Sequence, residues 1–215
     1  MSSSSPADVR ELFLQTARVV QEAICDDAVG RAWDRPSVLD EQTVGGVAGH
    51  LARGGVWVVE DYLDAELPDA PRLKSAAAYF ARSADFLKAD DHRQIRRRGA
   101  EVAAEGQLAL CSKLGDRLEA LAARLPTEPA DRYVGVAAGV AVMLLDPYLE
   151  TRIVEQVVHL DDLARSVDRA PWPVPVAAQN LVIHIGVDVG ALRTGATAML
   201  RTLYRSRLDP TLPVL

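Results

Sequence analysis

The residues that could do chemistry are concentrated in two short segments, and the more informative one runs from Arg152 to Leu163. In that segment Glu155 and His159 are four residues apart. Because residues i and i+4 are neighbours on one helical face, a carboxylate and an imidazole at this spacing can converge on one metal ion. His50, in the other segment, is the best candidate for a third ligand. These residues predict a metal site inside a helical bundle.

Each of these residues also has an ordinary structural interpretation. A Glu–His pair on the outward face of an amphipathic helix would be a surface contact worth a few tenths of a kcal/mol. His50 lies between Val47 and Leu51, where a buried imidazole could simply bond a backbone carbonyl. Since glycine costs a helix about 1 kcal/mol relative to alanine, the glycines around His50 indicate close helix packing or room for a ligand. Those glycines are Gly45, Gly46, Gly49, Gly54 and Gly55.

Helices must position these residues, and the sequence predicts a mainly α fold. The expected helices span residues 6–29, 43–65, 72–88, 91–125, 146–167, 176–191 and 194–207. The Val- and Gly-rich residues Tyr133–Leu145 lack helical periodicity and could form two short strands that turn near Ala138–Gly139. On a helical wheel of residues 146–167, one side is broadly apolar and the other is a narrow polar stripe. That stripe consists of Tyr148, Arg152, Glu155, His159 and Asp162.

Composition limits the class of protein. Of 215 residues, 49% are hydrophobic and 5% aromatic, which favours closely packed helices over a β-sandwich. The net charge of −6 argues against binding to duplex nucleic acid, and the basic cluster Arg93–Arg98 is interpreted as a solvated helix face. Met1–Ser5 lacks a signal pattern, and no apolar run is long enough to span a bilayer. We therefore expect a cytoplasmic protein without a membrane or nucleic-acid partner.

Three further residues with reactive side chains are expected to be structural. Cys25 and Cys111 show no metal-ligand spacing. Because both fall at apolar positions of predicted helices, we expect them to be buried and reduced, as in a reducing compartment. His184 has the apolar neighbours Ile183 and Ile185 and is expected to be a core histidine, the alternative being a place in the lining of the site.

Two segments resemble a known family. Residues Thr43–Gly54, TVGGVAGHLARG, are followed much later by Thr151–Ala164, TRIVEQVVHLDDLA. Together and in this order they resemble the mycothiol-dependent maleylpyruvate isomerase N-terminal family, which belongs to the DinB-like group of four-helix bundles. The similarity covers about Val9 to Val167 and is sharp only in these two segments. It implies a metal-binding bundle over residues 1–168, with a short helical C-terminal extension over residues 169–215 packed on it.

The resemblance also implies a chemistry. In that family a divalent ion, usually zinc, is bound by three side chains that correspond here to His50, Glu155 and His159. Three protein ligands leave an open coordination position, which is typical of catalytic zinc. Mycothiol or another small thiol could fill that position and react as a thiolate. Asp162 is expected to orient a ligand, and Arg152 to hold Glu155 or a substrate carboxylate.

Three functions remain open from the sequence. The first is a zinc-dependent enzyme that uses mycothiol or another thiol as an isomerase or S-transferase on a small electrophile. The second is a non-catalytic, metal-binding DinB-like protein with a regulatory or interaction role. The third is a structural bundle in which the histidines are incidental. Too little chain follows Val167 for the α/β C-terminal domain of the true isomerase, so maleylpyruvate itself is not assigned as substrate. The family also suggests a homodimer.

Overall fold

The computed structural model describes residues 6–83 and 89–205. Its helices are α1 (Pro6–Ile24), α2 (Asp27–Arg31), α3 (Val44–Ala52), α4 (Val58–Asp64), α5 (Ala76–Ala81), α6 (Ala89–Ala103), α7 (Gln107–Arg124), α8 (Leu145–Ser166), α9 (Val176–Thr194) and α10 (Ala196–Arg205). Its strands are β1 (Arg72–Leu73), β2 (Tyr133–Val136) and β3 (Ala141–Leu144). A π-helical turn, Arg53–Trp57, joins α3 to α4, and a 3₁₀ turn, Leu125–Thr127, extends α7. The predicted mainly α fold is confirmed.

Helix α1, the continuous α3–α4 segment, α7 and α8 form a four-helix bundle around one apolar core. Helix α7 shows how the sequence directs its packing, since its leucines recur every three or four residues and so fall on one face. Burial of each such side chain stabilises the fold by about 1.5–3 kcal/mol. The buried residues of this face are Leu110, Leu114, Leu118, Leu121 and Leu125.

Local side-chain chemistry explains several helix ends. The predicted 43–65 helix begins as expected because the Thr43 hydroxyl accepts a hydrogen bond from the Gly46 amide at 3.0 Å. The predicted 91–125 helix is wrong as one element: it is interrupted at Gly106, whose φ of 88° lies in the left-handed region that favours glycine. The predicted 6–29 helix ends early, because the Asp26 carboxylate accepts a bond from Ala28 and starts α2.

A small sheet covers one side of the bundle. Strands β2 and β3 pair antiparallel, and the turn between them includes Ala137 and Ala138 with positive φ, which confirms the predicted hairpin. Strand β1 pairs parallel with β3, so the helix predicted from residue 72 is wrong at its start. Ser75 caps α5 through its hydroxyl, which accepts a bond from Ala78. Residues 84–88 of that predicted helix lie outside the described residues.

The expectation for the two cysteines is wrong. Cys25 is exposed and Cys111 is half-buried, and the two form a disulfide with a Cα–Cα distance of 5.6 Å. They are 86 residues apart in sequence, and they meet because α1 and α7 pack side by side. Spacing along the chain contains no signal for such a contact.

The predicted C-terminal helices are confirmed within the described residues, and α9 packs against α5 and α8. The expectation of a buried His184 is wrong, because its side chain is exposed. Helix α9 contacts the rest of the protein through one face that buries Ala178 and Ile185, and the next residue on a helix points about 100° away. The division between residues 1–168 and 169–215, and the homodimer, stay predictions. Among the described residues, no helix is both long and apolar enough to cross a lipid bilayer.

Candidate metal centre

The polar stripe of α8 faces the protein interior. Tyr148 is 1% exposed and Arg152 is 7% exposed, whereas Val158 of the apolar side is 45% exposed. The interpretation of this stripe as an outward face is therefore wrong. The reason lies in the facing π turn, where two backbone carbonyls accept hydrogen bonds from α8. Gly54 O accepts from Arg152 Nη1 at 2.8 Å, and Gly55 O accepts from Gln156 Nε2 at 2.9 Å.

The inward stripe brings Glu155 and His159 to His50 of α3. Glu155 Oε2 lies 3.5 Å from His50 Nε2 and 3.6 Å from His159 Nε2. The two imidazole rings are nearly perpendicular, with 4.8 Å between centroids. Donor atoms bound at about 2.0–2.2 Å to a tetrahedral zinc ion are about 3.3–3.6 Å apart, so these separations suit one ion. Among the side chains that the structure describes, these residues are the one group of three whose ligand atoms lie within 4.8 Å of one another.

The charges of the site favour an ionised Glu155. Burial alone would raise the pKa of Glu155, but close contacts with the His159 and His50 imidazoles and the charge of Arg152 hold that pKa well below its usual range. Burial alone would lower the pKa of His159, but bonds to Asp162 and Glu155 raise it to about 9. The carboxylate is thus ready for a cation at neutral pH. A metal ion would displace the extra proton of His159, because an imidazole must be neutral to bind a metal.

Asp162 lies within hydrogen-bond distance of the His159 ring. Its Oδ2 lies 2.9 Å from His159 Nδ1, and because an ionised carboxylate only accepts hydrogen bonds, Nδ1 carries the hydrogen. In the neutral ring, Nε2 then keeps its lone pair on the side of Glu155. Metal-bound histidines commonly have such a carboxylate partner. The structure therefore brings the predicted orienting residue to the predicted ligand.

Arg152 is buried beside the ligands but does not form an ion pair with Glu155. Its Nε donates to Thr151 Oγ1 at 3.0 Å, and its guanidinium carbon lies 5.0 Å from the centroid of the Tyr148 ring. No carboxylate of the described side chains is within 4.0 Å of it. It acts on Glu155 through its charge rather than through a direct contact.

Of the two purposes that the sequence left open for the glycines around His50, close helix packing is confirmed at Gly49, and Gly54 leaves space for the His50 side chain. A Cβ on Gly49 would overlap the carbonyl oxygen of Gly99, so the close approach of α3 and α6 requires glycine. A Cβ on Gly54 would lie 3.2 Å from His50 Cε1, so that glycine leaves room for the imidazole. The first glycine holds a helix pair together, and the second clears space for a candidate ligand.

A cavity of about 350 Å³ opens beside His50 and Glu155. Its wall is partly aromatic and partly cationic, and sequence reasoning missed most of these residues. Arg53 alone had a local signal, because it is three residues after His50 and so shares its helical face. The others come from elements remote in sequence. The missed lining residues include Arg53, Tyr62, Tyr79, Phe80 and Arg98.

The family model of the mycothiol maleylpyruvate isomerase N-terminal domain matches residues 14–164. The chain belongs to this family. The match extends from α1 to α8 and contains His50, Glu155 and His159. It confirms the resemblance drawn from the two segments around those residues. No curated protein and no solved structure matches the chain.

Proposed function

We propose that this protein binds a divalent metal ion, zinc first, and uses mycothiol or another small thiol as an isomerase or S-transferase acting on a small electrophile. The ligands are His50, Glu155 and His159. One observation carries the proposal: Glu155 Oε2 lies 3.5 Å from His50 Nε2 and 3.6 Å from His159 Nε2, beside a cavity of about 350 Å³. Membership of the mycothiol maleylpyruvate isomerase N-terminal family supports the choice of a thiol.

The residues present fit an ion with an open position. Two imidazoles and one carboxylate are a donor set that zinc accepts, and catalytic zinc sites keep a fourth position for water or substrate. A bound divalent ion would lower the pKa of a coordinating thiol and so supply a thiolate at neutral pH. His50 and Glu155 border the cavity, where that thiolate and an electrophile would meet.

The remaining residues of the site orient the metal ligands and the substrate and exclude water from the reacting atoms. Asp162 accepts the Nδ1 hydrogen of His159 and leaves Nε2 free to bind a metal. With His159 and His50, Arg152 helps to keep Glu155 ionised and, as a residue of the cavity wall, it is placed to hold an acidic group of a substrate. Tyr62 and Tyr79 contribute aromatic surface that excludes water from the reacting atoms.

The first experiment measures metal content on untagged protein by elemental mass spectrometry. We expect about one equivalent of zinc or a similar ion in the wild type and its loss in His159→Ala. The matched control is His184→Ala, since that histidine is exposed and outside the cavity wall. A wild type that contains no metal and takes up none from added zinc would refute the proposal.

The second experiment separates an enzyme from a non-catalytic metal-binding protein. Metal-loaded protein is mixed with mycothiol and an electrophile such as 1-chloro-2,4-dinitrobenzene or maleylpyruvate, and consumption of the electrophile is followed. We expect turnover that needs both the thiol and the metal and that is lost in His50→Ala. A loaded protein that accelerates none of these reactions would favour a regulatory or interaction role instead.

A further inference from the structure

The cavity beside the candidate metal centre is cationic in an acidic protein. Arg53, Arg98 and Arg152 line it, and Glu155 is the one carboxylate among its lining residues that the structure describes. The whole chain has a net charge of −6. A bound divalent ion would make this excess of positive charge larger. Such a cavity favours an anionic ligand over a neutral ligand of the same shape.

The arginines of α6 show which of these charges is available to a ligand. Arg96 pairs with Glu41 at 2.7 Å, and Arg97 pairs with Glu101 at 3.2 Å. The next residue, Arg98, has Gln94 Oε1, at 3.5 Å, as its one hydrogen-bond partner among the described side chains. The sequence predicted a solvated face for this cluster, and Arg98 is indeed exposed, but it also lines the cavity, which the sequence did not predict.

Arg53, which follows helix α3 on the other side of the α3–α6 contact, also has no carboxylate partner among the described side chains. It opens the π turn that follows α3, and no carboxylate of the described side chains lies within 4.0 Å of it or of Arg98. A guanidinium binds a carboxylate through two parallel N–H···O bonds, an arrangement that is stronger and more directional than a single hydrogen bond. Both arginines therefore keep this capacity for a ligand.

The fold holds the two arginines close to the metal ligands. Arg98 precedes Gly99, whose backbone packs so closely on α3 that an added Cβ would lie 3.1 Å from His50 Cβ. Arg53 is three residues after His50 and so projects from the same helical face. Both backbones are thus anchored at His50, which itself borders the cavity.

We propose that Arg53 and Arg98 determine specificity by holding a carboxylate of the ligand that binds in the cavity beside His50 and Glu155. This inference rests on the proposed function, since it takes that cavity as the place where thiol and electrophile meet. The carboxylate belongs either to the electrophile or to the thiol. The aromatic wall of Tyr62, Tyr79 and Phe80 suits the carbon skeleton of a small organic acid.

The test compares charged and neutral probes of the same shape by calorimetric titration. Maleate is compared with maleamide, and N-acetylcysteine with its amide, on zinc-loaded wild type, Arg53→Gln, Arg98→Gln and Arg97→Gln. In the wild type and in Arg97→Gln, the control outside the cavity wall, we expect maleate to bind at least about tenfold more tightly than maleamide. In Arg53→Gln and Arg98→Gln we expect that preference to fall severalfold or vanish.

Each of the other possible outcomes either supports the inference or overturns it. A preference that depends on the arginines only for N-acetylcysteine assigns the carboxylate to the thiol and supports the inference. A preference that is unchanged in Arg53→Gln and Arg98→Gln, for both probe pairs, overturns it, because the anion would then be bound by the metal or by Arg152. The same titrations on metal-free protein separate the two proposals. Absence of zinc uptake refutes the proposed function, while an arginine-dependent preference for maleate would still support the inference.

Discussion

Two arginines, Arg10 in α1 and Arg152 in α8, are almost equally buried, at 6% and 7% exposed, but their surroundings differ. Arg10 Nε donates to Asp146 at 2.7 Å, and its other nitrogens donate to the carbonyls of Leu125 and Pro129, each at 3.0 Å. Arg152 donates to the Gly54 carbonyl at 2.8 Å and to the Thr151 hydroxyl at 3.0 Å, and it lines a cavity.

The difference separates a stabilising charge from a charge that is available for binding. Arg10 joins the start of α1 to the end of α7 and the start of α8, and its charge is neutralised by Asp146. A buried charge needs a partner, because its desolvation costs several kcal/mol. The nearest carboxylate to Arg152 on α8, Glu155, is already engaged by His50 and His159. The unmatched charge is therefore found where a ligand could match it.

The largest expected effect comes from breaking the Arg10 cluster. Arg10→Met leaves Asp146, whose side chain is only 14% exposed, without its partner, so we expect the free energy of unfolding to fall by about 3–5 kcal/mol. Urea denaturation followed by circular dichroism measures it, with the disulfide intact in every sample. Arg97→Met is the control, with an expected change below about 0.5 kcal/mol, because Arg97 is 71% exposed in its ion pair. A loss under about 1 kcal/mol for Arg10→Met would contradict the comparison.

Arg152→Met should cost less, and its cost should depend on metal. In metal-free protein the Gly54 carbonyl loses its donor, so we expect a loss of about 1–3 kcal/mol. Removal of a positive charge near Glu155 favours a bound cation, so excess zinc should reduce the deficit relative to the wild type. The same denaturation, with and without zinc, measures both values. A deficit that grows with zinc would show that Arg152 supports the ion rather than opposing it.

The sequence predicted the parts of the site that depend on local spacing. Glu155, His159 and Asp162 are within eight residues of one another on one helix, so helical geometry alone places them together. Whether these side chains point inward or outward was harder to predict. The inward face of α8 depends on the carbonyls of Gly54 and Gly55, in a π turn that no periodicity predicts. A polar stripe can face solvent or a buried site with the same pattern.

The parts that the sequence did not predict all depend on contacts between remote segments. Arg98 and Tyr79 reach the cavity from α6 and α5, and Cys25 meets Cys111 only because α1 and α7 pack together. The prediction of a buried His184 was wrong for a different reason. Apolar neighbours in sequence do not bury a residue on a helix that packs through one face. Fold class and candidate ligands were therefore predictable, and the wall of the cavity was not.

A sharper test within the site concerns the hydrogen bond between Asp162 and His159. Asp162→Ala removes the acceptor 2.9 Å from His159 Nδ1, so the ring is free to rotate or change tautomer. We expect zinc affinity to fall by about 10–100-fold, measured by competition with a chromophoric chelator. Asp161→Ala is the control, because Asp161 is the adjacent carboxylate and is exposed. Equal affinities in the two variants would show that Asp162 does not orient the ligand.

The smallest expected effect is that of Gly54→Ala, which distinguishes a role of Gly54 in the metal site from a role in helix packing. In Gly54→Ala the new Cβ would lie 3.2 Å from His50 Cε1, so the imidazole must shift by a few tenths of an ångström and zinc affinity should fall about two- to tenfold. Gly186→Ala is the control, since nothing lies within 4 Å of its added Cβ. Both changes add helix propensity of up to about 1 kcal/mol. Weaker zinc binding without lost stability, in Gly54→Ala alone, would show that this glycine serves the metal site, whereas unchanged affinity would assign it to helix packing.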